Sequence, residues 1–300
     1  MKKESHIRDR FITMASFIKT EHYEPYPKLS PNLLRNQFTA KTVLITGGGS
    51  GIGASTARSF AQANAAKLIL TGRTESTLHQ TAAALRADFP DLEISLHVGS
   101  VASPEHVASL FASLDRSPDV LVNNAGYLSE PVSFVDADLK DWWQGFTTNV
   151  FGTALMTQTY LRHRRGLQAG AADGKPGVII NINTKAAYDF HIPGMSSYGA
   201  SKAAMLRLAE VITDDVPASE AHVVSVHPGA VQTALLAKSG LKRKMTDGKL
   251  AGDFVVWSAS EEAAFLNGRM VWVNWDVPEL VSWKDVIVEK DLLRSSIKEA

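Results

Sequence analysis

Lys41-Thr42-Val43-Leu44-Ile45-Thr46-Gly47-Gly48-Gly49-Ser50-Gly51-Ile52-Gly53 decides the fold of this 300-residue chain. Its first six residues make the apolar run of a strand buried on both faces. The glycines that follow form a strand-to-helix turn without side chains. Such a turn lets a pyrophosphate approach the backbone at the N-terminus of the next helix, read here through Ala54–Ala63, where free N–H groups and the helix dipole favour an anion. The spacing is G-x-x-x-G-x-G, with Gly47, Gly51 and Gly53 at its fixed places. Ala54 stands where a P-loop needs Lys, which disfavours nucleoside triphosphate hydrolysis.

Outward from this stretch the same texture repeats. Lys67–Thr71, Glu93–Val98, Asp119–Val122, Val178–Ile182, Val223–Val226 and Met270–Val273 read as further strands, with helical segments such as Glu75–Ala87 between them. Strands alternating with helices imply parallel βαβ units of one hand. The expected fold is α/β: a Rossmann-type doubly wound parallel sheet of about seven strands flanked by helices, in one domain over residues 39–300. Residues 1–38 read as an arm that wraps the domain or a neighbouring subunit. In it Ile7, Phe11, Met14/Ala15 and Ile18 recur at helical spacing, and Pro25, Pro27 and Pro31 enforce an extended path. Glu4, Asp9 and Glu21 argue against a transit peptide, and Met14 is an alternative start.

Composition excludes several classes. Lys plus Arg and Asp plus Glu both number 31, so no broad basic field for nucleic acid exists. There is no cysteine, which removes disulfides and thiol chemistry and makes a reducing cytoplasm the expected location. The His residues never fall in an H-E-x-x-H arrangement, and no metal is expected. Trp142–Leu161 carries no charge, yet Gln144, Asn149, Gln158 and its threonines are too polar for a membrane span, so a buried or interface helix is the reading. The basic cluster Arg162-His163-Arg164-Arg165 reads as a solvated helix end.

The chemistry gathers at Tyr198 and Lys202, which share a helix face at i and i+4. A phenol has a reference pKa of about 10, and an ammonium beside it favours the phenolate, so that Tyr can exchange a proton. The tetrad alone also fits an ordinary exposed Tyr and Lys. Its company is more telling. Thr46-Gly47-x-x-x-Gly51-x-Gly53, Asn123-Asn124-Ala125-Gly126, Asn149, Tyr198-x-x-x-Lys202 and Pro228-Gly229 with Val231 and Thr233 come in the order and spacing of the short-chain dehydrogenase/reductase family, which the chain resembles over about residues 38–275.

The resemblance implies roles residue by residue. Tyr198 would donate the proton in carbonyl reduction and accept it in alcohol oxidation; Lys202 would hold the nicotinamide ribose and lower the Tyr pKa. Asn149 would anchor a water in the proton relay. Gly47, Ser50, Gly51, Ile52 and Gly53 would cradle the pyrophosphate, and Asn123 would tie adjacent strands together, with Ala125 and Gly126 along the adenosine half. Pro228, Gly229, Val231 and the Thr233 hydroxyl would meet the nicotinamide. The family's substrate-holding Ser is replaced: aligned on the strand, Thr184 takes its place, whereas counting back from Tyr198 reaches Lys185. Thr184 is favoured, because a hydroxyl can do this work. Ser196 and Ser197 fit the N-cap region of the Tyr198 helix. Ser100, before Val101, stands where many relatives carry an adenine-contacting Asp. At the end of the second strand, Thr71-Gly72-Arg73-Thr74 has an Arg and no acid, which favours NADP(H) over NAD(H).

The implied function is an NADP(H)-dependent oxidoreductase interconverting a carbonyl and a secondary alcohol on a small organic molecule. The specificity segment would be 234–254, with Leu235, Leu236, Leu241 and Met245 making it apolar and Lys238, Lys242, Arg243 and Lys244 making its middle basic. Tyr127, Leu128, Tyr188, Phe190, His191 and Met195 are candidates for the cavity mouth. The C-terminal Gly268–Val277 and the Tyr23–Pro31 arm resemble short-chain reductases of fungal secondary metabolism. Relatives pair through the long helices, so a homodimer or homotetramer is expected. Two alternatives share the scaffold: a non-redox dehydratase, isomerase or cyclase, and a redox-silent NADP(H) sensor.

Overall fold

The computed structural model describes residues 17–166, 174–189 and 192–295; Ile7, Phe11, Met14 and Ala15 of the expected N-terminal turn, and Phe190 and His191, lie outside them. Seven strands form one sheet in the order β3-β2-β1-β4-β5-β6-β7. They are β1 Thr42–Thr46, β2 Lys67–Gly72, β3 Glu93–Val98, β4 Val120–Asn123, β5 Gly177–Ile182, β6 Ala221–His227 and β7 Arg269–Trp272. Every pairing is parallel. Strand order reverses between β1 and β4, the switch point at whose carboxyl edge α/β sheets bind ligands.

The helices are α1 Arg35–Phe38, α2 Gly51–Gln62, α3 Glu75–Asp88, α4 Pro104–Ala112, α5 Leu139–Phe146, α6 Thr153–Gly166, α7 Ser196–Asp215, α8 Ala234–Ser239, α9 Gly248–Ser258, α10 Val277–Ser282 and α11 Lys284–Glu289. The strands alternate strictly, so each contributes to both faces. Val43 and Ile45 pack with Phe60 of α2 and with Leu250 and Phe254 of α9, whereas Leu44 packs with Val107 of α4 and Met156 and Tyr160 of α6. Removing so much apolar surface from water on two sides is the main stabilisation of the domain.

Three expectations are corrected. Trp142–Leu161 is helical throughout but not a regular α-helix: α5 and α6 run on through a π-helical segment, Thr147–Gly152, that contains Asn149. α9 is core, with Leu250, Ala251, Phe254, Val255 and Val256 fully buried, so the end of the 234–254 segment is a structural helix against α2. A Cβ on Gly252 would stand 2.6 Å from the Ser55 carbonyl, which shows how closely the two helices pack. Finally, Ser196 and Ser197 do not cap α7. Trp142 Nε1 of α5 donates to Ser196 Oγ, and Ser197 Oγ donates to the Trp142 carbonyl, so the two hydroxyls bind α5 to α7.

The described part of the arm, residues 17–38, lies on its own domain. Glu21 pairs with Trp275 in an antiparallel bridge, and His22 N donates to the Asn274 carbonyl at 2.7 Å. Glu279 caps the Lys19 and Thr20 amides, 3.0 Å each, and Phe38 at the arm's end packs edge-on to Phe60 at 5.3 Å. The basic cluster ending α6 is partly paired, with Arg165 gripping Glu220 through two bonds.

The turn after β1 has the least tolerance. A Cβ on Gly53 would stand 2.2 Å from the Gly47 carbonyl oxygen and 2.6 Å from Asn124 Nδ2. Gly166, at the end of α6, has no atom of the described residues within 4 Å of its Cβ position. Urea unfolding followed by circular dichroism is therefore expected to show Gly53→Ala losing about 1–3 kcal/mol to overpacking, with Gly166→Ala neutral or slightly stabilised.

Candidate active site

The carboxyl ends of β1, β4, β5 and β6 converge on a cavity of about 650 Å³, lined by Ile52, Thr184, Lys185, Tyr198, His227, Gly229 and Thr233 among others. Beneath it the loop after β1 is locked to the loop after β4. Asn124 Nδ2 donates to the Thr46 and Gly47 carbonyls, at 2.9 and 3.2 Å. Thr46 Oγ1 accepts from both the Asn124 and Ala125 amides at 2.9 Å. Asn123 Nδ2 bridges Thr157 Oγ1 of α6 at 3.0 Å and Asn181 Oδ1 of β5 at 2.9 Å.

The glycine turn has the form of an anion cradle. Gly47 and Gly51 take positive φ of 64° and 52°, which glycine adopts at no steric cost. Ser50 holds the N-cap position of α2, yet its side chain makes no capping bond. The first-turn amides of α2 are thus left uncapped by a side chain, at the positive end of the helix dipole. A Cβ on Gly51 would lie 2.8 Å from Thr233 Cγ2, so the cradle directly borders the segment after Pro228. The donor set fits a dinucleotide pyrophosphate.

At the end of β2, Arg73 is exposed and forms no ion pair among the described residues; its charge acts on the Tyr127 phenol. Ser100 Oγ, after β3, accepts from the Ala102 amide at 3.2 Å, and Val101 is buried against Gly152. Gly126 lies near Asn149 and Leu235, with a Cβ there 3.6 Å from Asn149 Oδ1. On the far wall Pro228 and Val231 are buried. Gly229, at φ 72°, admits no Cβ because Thr246 Oγ1 would be 2.2 Å away. The Thr233 hydroxyl caps α8, accepting from the Leu236 amide at 3.1 Å.

Tyr198 and Lys202 lie on the first turns of α7. Lys202 is buried, 3% exposed; its Nζ donates to the Ile182 carbonyl at 2.7 Å and lies 6.0 Å from the Tyr198 ring centre. Burial pulls the Lys202 pKa down to about 8 and pushes Tyr198 up to about 12. The expected lowering of the phenol's pKa is therefore reversed in this state, because desolvation penalises each charged form and the ammonium is turned to a backbone carbonyl. Asn149 is fully buried. Its Oδ1 accepts from the Tyr127 amide at 2.8 Å, and its Nδ2 donates to the Tyr127 carbonyl at 3.0 Å and to Ser201 Oγ at 2.9 Å. It thereby ties the loop after β4 to the turn of α7 between Tyr198 and Lys202.

Thr184 and Lys185 differ in their engagements. The Lys185 ammonium pairs with Asp189 at 2.6 Å and lies 4.2 Å over the Trp272 ring. Thr184 Oγ1 accepts from the Ala186 amide at 3.3 Å. Both residues line the cavity with Leu128, Met195, Leu235, Leu236, Leu241, Arg243 and Lys244. Tyr127 and Tyr188 bond elsewhere, to Asp141 and Trp272, and Met245 is exposed.

Sequence reasoning missed Asn183, His227, Trp272, Asn274, Glu21 and Tyr23, which also line the cavity. His227 borders Pro228-Gly229, a proximity that could have drawn notice. Burial and the Lys185 charge push its pKa down to about 3, so it is neutral near pH 7. No group of three or more His, Cys, Asp or Glu able to hold a metal occurs among the described residues.

A buried ammonium is a stability cost with a definite pH window. Lys202 has a folded pKa of about 8 against an ordinary value of 10.5. The unfolded chain binds the extra proton between those values, so stability rises with pH across that window and the penalty is full below it. Lys202→Met is therefore expected to be more stable than the wild type at pH 7, by on the order of 1–3 kcal/mol. Thermal melts of both proteins from pH 7 to 10.5 are expected to show the advantage fading as the wild-type lysine sheds its proton.

The model of the family described as short chain dehydrogenase matches residues 41–244. Short chain dehydrogenase mpl6 of Monascus purpureus is 33% identical over 288 residues, covering 93% of this chain and 95% of its own. A short chain dehydrogenase/reductase of Claviceps purpurea strain 20.1 is 34% identical over 253 residues, 82% of each chain. Among solved structures, the citronellol catabolism dehydrogenase AtuB of Pseudomonas aeruginosa PAO1 superposes with a TM-score of 0.66 at 26% identity, covering 78% of this chain and 93% of that one. A Shigella flexneri 2a short chain dehydrogenase complexed with NADP shares the fold, with a TM-score of 0.69 at 20% identity, covering 80% of this chain and 99% of that one. With the glycine turn, the Asn123–Gly126 lock and the Tyr198–Lys202 helix on one sheet edge, and with relatives that match nearly end to end, the chain belongs to the short-chain dehydrogenase/reductase family of oxidoreductase enzymes.

Proposed function

We propose that the protein is an NADP(H)-dependent reductase or dehydrogenase interconverting a carbonyl and a secondary alcohol on a small organic molecule, with Tyr198 as the proton-transfer group. The observation that carries this is the placement of Tyr198 on the same cavity wall as Thr184, one helical turn from the buried Lys202. NADP(H), when bound, supplies or accepts the hydride. The chain's own residues do the rest. Gly47, Ser50, Gly51, Ile52 and Gly53 receive the pyrophosphate on the uncapped start of α2. Asn123 and Asn124 hold the loop after β4 against it, so that Ala125 and Gly126 border the adenosine half. Ser100 and Val101 flank the adenine side, and Pro228, Gly229, Val231 and Thr233 form the nicotinamide wall.

Thr184 presents a hydroxyl for the substrate oxygen, since the alternative Lys185 is held by Asp189. The Tyr198 phenol, protonated at neutral pH as any phenol is and held so more firmly by burial, donates to that oxygen during reduction. Lys202 would hold the nicotinamide ribose hydroxyls, and a positive charge on it would favour the phenolate left behind. Asn149 serves as a positioning residue: its side chain is engaged by Tyr127 and Ser201, so any part in a proton relay falls to its main-chain groups. Arg73 at the tip of β2, with no acid beside it, is matched to a 2′-phosphate.

The same reading puts the protein in the cytoplasm, favoured by a chain without cysteine; no helix among the described residues is long and apolar enough to cross a membrane. It also includes a homodimer or homotetramer, for which Phe134, Leu139, Trp143 and Phe151 offer an exposed apolar face along α5 and the π segment. The relatives' fungal sources support a role in secondary metabolism.

Two measurements test the core of this. Tyr198→Phe is expected to bind NADPH normally and to lose at least 100-fold in NADPH oxidation with carbonyl substrates; turnover that survives the change would sink the proton-transfer assignment. Arg73→Ser is expected to weaken NADPH binding about tenfold, the loss of one charge-assisted contact, while leaving NADH affinity as it was. Equal effects on both cofactors, read by fluorescence titration, would remove the basis for preferring NADP(H).

A further inference from the structure

The arm enters the cavity. Tyr23 and Glu21 line it together with residues of the sheet edge and of the segment after Pro228, although they lie far upstream of the family match, which begins at residue 41. Tyr23 is held from several directions. Its hydroxyl donates to Glu21 Oε2 at 2.7 Å, and its carbonyl accepts from the Asp247 amide at 2.8 Å. The Lys244 ammonium lies 3.4 Å from the centre of its ring. The strand that carries it is pinned in turn. Asn274 Nδ2 donates to the His22 carbonyl at 2.8 Å and to Thr246 Oγ1 at 3.0 Å, while His22 stacks on Tyr26 at 3.8 Å and bonds Asp276 at 2.9 Å. Arm, C-terminal segment and the 241–247 loop therefore close on one another at Tyr23.

A ring fixed in this way at a cavity wall is preorganised: ordering it costs nothing further when a ligand arrives. The rest of the lining says what it meets. Ile52, Leu128, Met195, Leu235, Leu236 and Leu241 make the opposing surface aliphatic. Of the cations in the lining, Lys185 is engaged by Asp189 and Lys244 by the Tyr23 ring itself, with Arg243 the third. A cavity of about 650 Å³ lies within the range of sites that enclose drug-sized molecules.

We propose that Tyr23 is a specificity-determining residue of the substrate site, delivered by the N-terminal arm, and that it selects bulky, largely apolar carbonyl compounds over small ones. The proposal rests on the carbonyl-reduction reading above. The full chain is tested with two diketones of the same reacting group and different bulk, 9,10-phenanthrenequinone and 2,3-butanedione. For each, NADPH oxidation gives kcat and KM, and calorimetry on the NADP-loaded protein gives binding without turnover.

Tyr23→Ala is expected to lower the quinone-to-butanedione ratio of kcat/KM about tenfold, through a higher KM for the quinone, and to weaken quinone binding to match. Tyr23→Phe, which keeps the ring under Lys244, is expected to retain most of the wild-type selectivity. The proposal is overturned if Tyr23→Ala leaves quinone KM and binding unchanged. It is also overturned if that variant loses NADPH affinity and both diketones alike, which a merely structural arm would produce, or if the wild type does not bind the quinone. Quinone binding that depends on Tyr23 without any NADPH oxidation would uphold the wall and sink the reductase reading instead.

Discussion

The distance between two backbones governs this molecule. β1 ends and α2 begins so close together that the Gly47 carbonyl occupies the space a Cβ on Gly53 would need, 2.2 Å away. That closeness allows one amide side chain, Asn124, to hold the turn by both the Thr46 and Gly47 carbonyls. The loop after β4 is thereby fixed to the loop after β1. Asn123 then carries the register across to β5 through Asn181, and β5 delivers Thr184 and the Ile182 carbonyl on which Lys202 rests. The site is a chain of backbone positions set by one steric exclusion, and the side chains with chemistry come at its end.

Most of the fold was legible because both faces of the sheet are covered. A strand buried on two sides is largely apolar, so β1 and β4 announce themselves as nearly uninterrupted runs, whereas the edge strand β3 carries Glu93, Ser95 and His97 and is only partly buried; the turn after β1 betrays itself by needing no side chains. The family motifs sit in that frame, which is why the glycine turn, Asn123–Gly126, Tyr198 and Lys202 could be read from residues alone. What stayed hidden depends on contacts remote in sequence. Nothing in Trp142–Leu161 announces a π segment, because the widened turn at Asn149 is tied to partners on Tyr127 and Ser201. Ser197 resembled a cap until α5 supplied the Trp142 carbonyl as its acceptor. Read from sequence alone, α9 falls at the end of a specificity loop, since its burial follows only from the approach of α2.

The arm shows the same limit most strongly. Its prolines predicted an extended path but not a destination, and its partners Asn274, Asp276 and Glu279 lie some 250 residues away, as with the 254 that separate His22 from Asp276. These contacts join both ends of the chain over the edge of the cavity. The part of the protein outside the shared motifs therefore does two things at once: it closes the C-terminal segment onto the domain, and it supplies Glu21 and Tyr23 to the cavity lining. Variation among relatives that share the nucleotide-binding frame has room to act there without disturbing β1 or α2.

Tyr198 and Lys202 expose the conflict between stability and chemistry in this fold. Burial alone drives the phenol's pKa up to about 12 and the ammonium's down to about 8, so each residue is pushed toward its neutral form. A neutral phenol suits proton donation. A lysine near its midpoint at mild alkaline pH is held by one carbonyl bond and by little else polar, Met205 Sδ at 3.8 Å being its other contact. Packing the site with apolar groups would relieve the cost, as buried charges replaced by hydrophobic residues often show. Under the proposed chemistry that charge is used when the phenol gives up its proton, because phenolate and ammonium then stabilise one another more strongly than they would in bulk water. The upward shift of Tyr198 and the downward shift of Lys202 thus have one cause, burial, acting on two groups one turn of α7 apart.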